Sequence, residues 1–100
     1  MSELNNINEI NNIRTFRLKI SSPDGDTFSG KVSAFYVRTT EGDMAVLPGH
    51  APLIAVTVPC SCRFVTHDQD GAPQEHVIKV TGGLLSVDND NAALLASKRE

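Results

Sequence analysis

His50, Glu41 and Asp43 are the residues whose types and spacing best suit chemistry: an imidazole that titrates near neutrality, with two carboxylates close by in sequence. They fall within the stretch EGDMAVLPGHAPL, in which Glu41, Gly42 and Asp43 make an acidic corner and Pro48, Gly49 and His50 a constrained loop. Each proline ring locks its own φ, and Leu47 and Ala51 are pushed toward extended backbone because they precede proline. A general base needs a nucleophile or a polarised substrate beside it, and no Gly-x-Ser-x-Gly elbow or other triad signature accompanies His50. Three roles stay open for this histidine: acid/base work, contact with a partner, or a bond to its own loop. The missing nucleophile weighs against the first.

Other chemistry-bearing sets are weaker. Cys60, Cys62, His67 and His76 include two metal-ligating residue types, but Cys-x-Cys is tighter than the spacing of structural zinc sites. The turns Asp68-x-Asp70-Gly71 and Asp88-x-Asp90 lack the full ligand series of a calcium loop. Gly82-Gly83 has neither the lysine nor the following helix of a phosphate loop. No catalytic residue, metal or cofactor is expected, and the chain is read as a non-enzyme.

These side chains must be carried by short strands. Phe16, Leu18 and Ile20 alternate with polar residues, the period of a half-buried strand, and Ser22-Pro23-Asp24-Gly25 supplies a tight turn. Further strands are expected at Thr27 to Val32, Ser33 to Thr39, Leu53 to Val58, Cys60 to Thr66, His76 to Val80 and Leu84 to Val87. Thr81-Gly82-Gly83 would let the chain bend or another strand approach closely. By local propensity alone, Ala92 to Arg99 after Asn91 reads as a capped helix. Eight or more strands with turns between them argue for an all-β antiparallel sandwich or barrel. Residues 1–13, rich in asparagine, read as a flexible or partly helical arm, leaving residues 14–100 as one all-β domain.

The chain has 100 residues, 40% of them hydrophobic, enough for one core. A net charge of −3 gives no basic field for nucleic acid or anionic lipid. No apolar run has the length of a membrane span, so direct membrane insertion is not expected, and the default address is the cytoplasm. The two cysteines, Cys60 and Cys62, are expected as reduced, buried thiols, since neighbours two apart on a strand diverge too far for easy bonding.

Ser22-Pro23-Asp24-Gly25 with Phe28-Ser29-Gly30, then EGDMAVLPGHAPL, then VTGGLLSVDNDNAALLAS follow one another in an order that resembles the epsilon subunit of F-type ATP synthases, in its amino-terminal β-sandwich domain. The resemblance covers about Phe16 to Ser97. It implies that residues 14–100 are a β-sandwich domain, with two roughly five-stranded sheets and a strand instead of a helix at Ala92 to Ala96. It also implies a central-stalk, rotor subunit, peripheral on the cytoplasmic face of the membrane, that binds the gamma subunit and the c-ring and couples ion-driven rotation to ATP synthesis. Glu41, Gly42, Asp43, Pro48, Gly49 and His50 become the implied partner contacts, gathered at one end of the sandwich. Ala45 and Cys60 stand where the family commonly has glycine, which requires negative φ at both, and Ser97 stands where an acidic residue is frequent. In the family a two-helix hairpin follows; no residue here matches it, so neither its inhibitory role nor ATP binding is carried over. The competing readings are a free-standing ligand-binding sandwich with a concave apolar pocket, and, more distantly, a small hydrolase built on His50.

Overall fold

Nine strands account for the fold, in a computed structural model that describes residues 13–97. The arm read at the amino terminus lies, apart from Ile13, outside the described residues. The strands are β1 (Phe16–Ser22), β2 (Gly25–Val32), β3 (Ala34–Thr39), β4 (Gly42–Val46), β5 (Leu53–Thr57), β6 (Cys60–His67), β7 (Pro73–Val80), β8 (Gly83–Val87) and β9 (Asn91–Ala96). Alternation decides which side faces inward: Phe16, Leu18 and Ile20 of β1 and Ala92, Leu94 and Ala96 of β9 are buried, while their neighbours in sequence are mostly exposed.

The sheet follows one hydrogen-bonded path, β2-β1-β9-β8-β5-β3-β6-β7, with β4 added to β3. Its narrowest link is between β5 and β3, which share the single register pair Thr39 and Thr57. Five strands lie on one side of that link and four on the other, where two sheets of about five were expected. One pairing also departs from the antiparallel expectation: β1 runs parallel to β9, from Arg17 opposite Asn91 to Ser21 opposite Leu95. The layers meet around Leu18, Ile20, Val32, Phe35, Cys62, Phe64, Leu85 and Leu94. Phe28 of β2 reaches across to Phe64 of β6, ring centroids 4.3 Å apart.

The carboxy-terminal helix suggested by local propensity is absent from Ala92 to Ala96. A strand with β1 on one side and β8 on the other buries three of those residues in the core, a gain that outweighs a helix preference of a few tenths of a kcal/mol per residue, roughly. Gly82 and Gly83 permit this packing. A Cβ on Gly82 would lie 2.8 Å from the Thr57 carbonyl oxygen, and one on Gly83 would collide with the Leu95 and Ala96 backbone. Ser97, in place of an acid, closes the strand by donating its N–H to the Gly82 carbonyl at 2.9 Å, with its Oγ 3.1 Å from Thr81 Oγ1. Cys62 is buried as expected; Cys60 is only partly so.

Candidate functional site

The stretch from Glu41 to Leu53, read as an acidic corner and a constrained loop, contains a strand, β4. Thr39-Thr40-Glu41-Gly42 turns the chain as Ser22-Pro23-Asp24-Gly25 does: a hydroxyl at the first position donates to the carbonyl at the fourth and accepts the N–H of the third. For Thr39 the distances are 2.9 and 3.0 Å, and for Ser22 they are 3.5 and 3.3 Å. Both turns end on a glycine at positive φ, 116° at Gly42 and 128° at Gly25, where a side chain would be strained. Gly42 to Val46 then pairs back along β3, from Thr39 to Phe35. The repeated Ser/Thr-x-x-Gly spacing was the available signal for this hairpin; weak β-formers such as Gly42, Asp43 and Ala45 obscured it.

β4 pairs with β3 alone and so forms an edge. It separates the two groups expected to act together. Glu41, Gly42 and Asp43 lie at its start, beside the β1–β2 turn end of the strands; Pro48, Gly49 and His50 follow its far end. Four residue steps of extended chain span about 13 Å. The expected clustering at one end of the sandwich is therefore corrected: these residues form a strip along the β4 edge.

At the first end, Asp43 is already engaged. It sits opposite Arg38 in the ladder, and Arg38 Nε donates to its Oδ1 at 2.7 Å. That hydrogen bond and the adjacent positive charge hold the Asp43 carboxyl below its usual range and raise the guanidinium. Glu41 is exposed and unpaired by any described residue, so it carries the net negative charge of the corner.

At the second end, the His50 N–H donates to the Leu47 carbonyl at 3.1 Å, closing a turn with Pro48 second and Gly49 third at φ 80°, the residue pattern of a type II turn. His50 Nδ1–H donates to the Ala51 carbonyl at 2.7 Å, which fixes the tautomer and leaves Nε2 without a partner among the described residues. The histidine bonds its own loop, one of the three roles left open above. Two residues missed by the sequence reading join this end. Leu47 is 50% exposed. Arg14 lays its guanidinium against Gly49, where an added Cβ would meet Nη2 at 3.2 Å.

The remaining sequence candidates are dispersed. Cys60 and His67 stand at opposite ends of β6, about 23 Å apart by strand rise. His67 Nδ1–H donates to the Gly71 carbonyl at 3.1 Å, and Nε2 accepts from Ser33 Oγ at 2.8 Å; His76 stacks on Phe64 with ring centroids 5.0 Å apart. Asp68 and Asp88 spend their Oδ1 atoms on the backbone N–H groups of their own turns. No group of three or more metal-ligating side chains comes together among the described residues. Ala45 and Cys60 adopt ordinary φ, as their replacement of glycine requires.

The two outer faces differ in kind. On the four-stranded side, Arg38 pairs with Asp43, Arg63 pairs with Glu75 at 2.6 Å, and Arg63 lies 4.6 Å over the Tyr36 ring. Tyr36, Arg38, Asp43 and Arg63 line a groove of about 570 Å³ whose arginines already have partners. On the five-stranded side, Val56 of β5, Leu84 of β8 and Leu95 of β9 stand opposite one another across three strands, with Ile54 one pleat along. They are 53%, 47%, 55% and 72% exposed, respectively.

The scaffold is a β-sandwich with an edge strip of mixed polarity and a row of exposed aliphatic side chains on one face. Residues 15–100 match the family described as ATP synthase, Delta/Epsilon chain, beta-sandwich domain, and the chain belongs to that family. It is 36% identical over 74 residues to the ATP synthase epsilon chain of Cutibacterium acnes, covering 74% of this chain and 48% of that one. It is 35% identical over 86 residues to the epsilon chain of Alkalihalophilus pseudofirmus, covering 86% and 61%. With that of Psychrobacter cryohalolentis it is 37% identical over 82 residues, covering 82% and 56%. The chain thus spans about half to three fifths of these relatives. The same fold occurs in the Euglena gracilis mitochondrial ATP synthase (OSCP/F1/c-ring), with TM-score 0.65 and 24% identity over 82% of this chain and 50% of that chain. It occurs again in the central stalk/c-ring of the Tetrahymena thermophila mitochondrial ATP synthase, with TM-score 0.64 and 11% identity over 82% and 63%.

Proposed function

We propose that this chain is the sandwich domain of a non-catalytic rotor subunit of an F-type ATP synthase, binding the gamma subunit and the c-ring and coupling ion-driven rotation to ATP synthesis. The observation that carries this reading is the aliphatic row Val56, Leu84 and Leu95 with Ile54 beside it. Contiguous exposed aliphatic side chains on one face, opposite a face of paired charges, suit a lasting protein partner. Gamma occupies that row, where affinity comes from apolar burial. The c-ring meets the β4 strip, Glu41, Gly42, Asp43, Pro48, Gly49 and His50 with Leu47 as an apolar anchor, where polar contacts set position and partner choice. The domain is peripheral on the cytoplasmic face, held there through these proteins, without nucleic acid, membrane insertion or an ATP site of its own.

The test is capture of gamma at micromolar concentration by the wild-type chain and by Leu95→Lys. Leu95 is exposed, so the fold should persist, and burying an ammonium in the interface should weaken capture at least about tenfold. Wild-type protein that captures no gamma would overturn the reading.

A further inference from the structure

We propose that the free edge of β7 pairs with the β7 of a second copy of this chain, antiparallel about a two-fold axis through Val77, joining two four-stranded layers edge to edge. Among the described residues β7 pairs with β6 alone and ends the sheet. It runs against β6 without a register shift, from Pro73 opposite His67 to Val80 opposite Cys60, whereas the strand at the other end of the path, β2, meets a shift at Ile20/Ser21. From Pro73 to Val77 every residue is exposed. Val77, at 60%, is the exposed aliphatic side chain that belongs to neither the row nor the strip, so the pairing goes beyond the function proposed above.

Alternation along the ladder decides which backbone groups reach the edge. The Asp68 N–H donates to the Ala72 carbonyl, the Val65 carbonyl accepts from Ser33 on the far side of β6, and Pro73 has no N–H to give His67 opposite it. Gln74, His76, Ile78 and Val80 therefore bond to β6, while Glu75, Val77 and Lys79 turn both N–H and C=O outward. Charges along an edge ordinarily resist pairing. Here they complement one another: with Val77 opposite its own copy, Glu75 meets Lys79 on both sides of the axis, and each such pair exchanges both backbone hydrogen bonds. Lys79 is exposed and takes part in none of the ion pairs among the described residues. Glu75, held by Arg63 at 2.6 Å, would lie between two cations in the dimer. On the inner side His76, stacked on Phe64, would stand beside Ile78 of the second copy. Moving the axis to His76 or Ile78 sets Val77 against a charged residue and loses both ion pairs, and a parallel pairing in register sets like charges together.

The test is sedimentation equilibrium of the chain from about 10 μM to about 1 mM, the range suited to an interface smaller than about 1,200 Å². Wild type should pass from monomer to dimer across it, with amide exchange slowing at Val77 and Lys79 as the dimer forms. Lys79→Glu and Glu75→Lys should each weaken self-association about tenfold or more, because each sets like charges face to face on both sides of the axis. Both positions are exposed, so the fold should persist. An equimolar mixture of the two variants should recover a dimer within about threefold of wild type, since acid again faces base at both pairs. A wild type still monomeric at about 1 mM overturns the proposal. So does slow exchange at Val77 in dilute monomer, which would mean that another part of the chain covers β7. A dimer that neither charge variant weakens also overturns it, and its loss in Leu95→Lys would place the contact on the aliphatic row. Variants that weaken the dimer without recovery in the mixture overturn the two-fold register and the proposal with it.

Discussion

Cys62 has no exposed surface, and burial pushes its thiol up to about 11 from an ordinary 9.0, with the neighbouring Cys60 adding to the shift. The folded state therefore holds this proton more tightly than the unfolded chain. The stability it contributes is complete below about pH 9 and is lost as pH rises through about 11, because the unfolded state sheds its proton first. Urea midpoints should fall across that window in wild type, and Cys62→Ala should remove this part of the fall while lowering stability at neutral pH by leaving a void. Alkylation should reach the partly exposed Cys60 first; equal rates at both cysteines would contradict the burial. At this scale the sequence was readable where chemistry is local. The capping roles of Asp68 and Asp88 follow from turn composition, whereas the different fates of Cys60 and Cys62 depend on which strands cover them. Arg14 was unreadable for the same reason, since its contact with Gly49 joins positions far apart in the chain.

A strand such as β1 was legible because a period of two marks a half-buried surface whatever lies against it. β9 contradicted local propensity because Ala92, Leu94 and Ala96 gain their burial from β1 and β8, which no window of its own sequence contains. β4 was concealed by poor β-formers and revealed by a turn built like the first one. The link between the layers carries a prediction of its own. Thr57 is 3% exposed, pairs with Thr39 and Gly83 through its backbone, and leaves its buried Oγ1 without a hydrogen-bond partner among the described residues. A desolvated, unsatisfied hydroxyl costs about 1–3 kcal/mol. Thr57→Val keeps the branched shape and β preference, so it should raise stability by about 1 kcal/mol, seen as a higher urea midpoint at unchanged slope. A lowered midpoint would mean that the hydroxyl is needed where it stands.

Across the whole molecule, the five-stranded side turns an aliphatic row outward, the four-stranded side turns paired charges outward, and β4 forms a strip along one edge. A domain bound to two parts of one assembly gains avidity, because the second contact forms at the effective concentration set by the first. The two surfaces share no residues, so their losses should separate. Leu95→Lys should weaken capture of isolated gamma about tenfold or more while sparing capture of isolated c-ring, and Glu41→Lys with His50→Ala should do the reverse. Additive penalties are expected for residues that neither touch nor share a partner. On the assembled rotor, each change alone should therefore leave measurable binding, and the two together should reduce it by about the product of the separate factors. Surface plasmon resonance on immobilised gamma, c-ring and rotor would read all three. If Leu95→Lys instead weakens capture of gamma and c-ring equally, the row and the strip act as one interface, and the assignment of a separate partner to each is wrong.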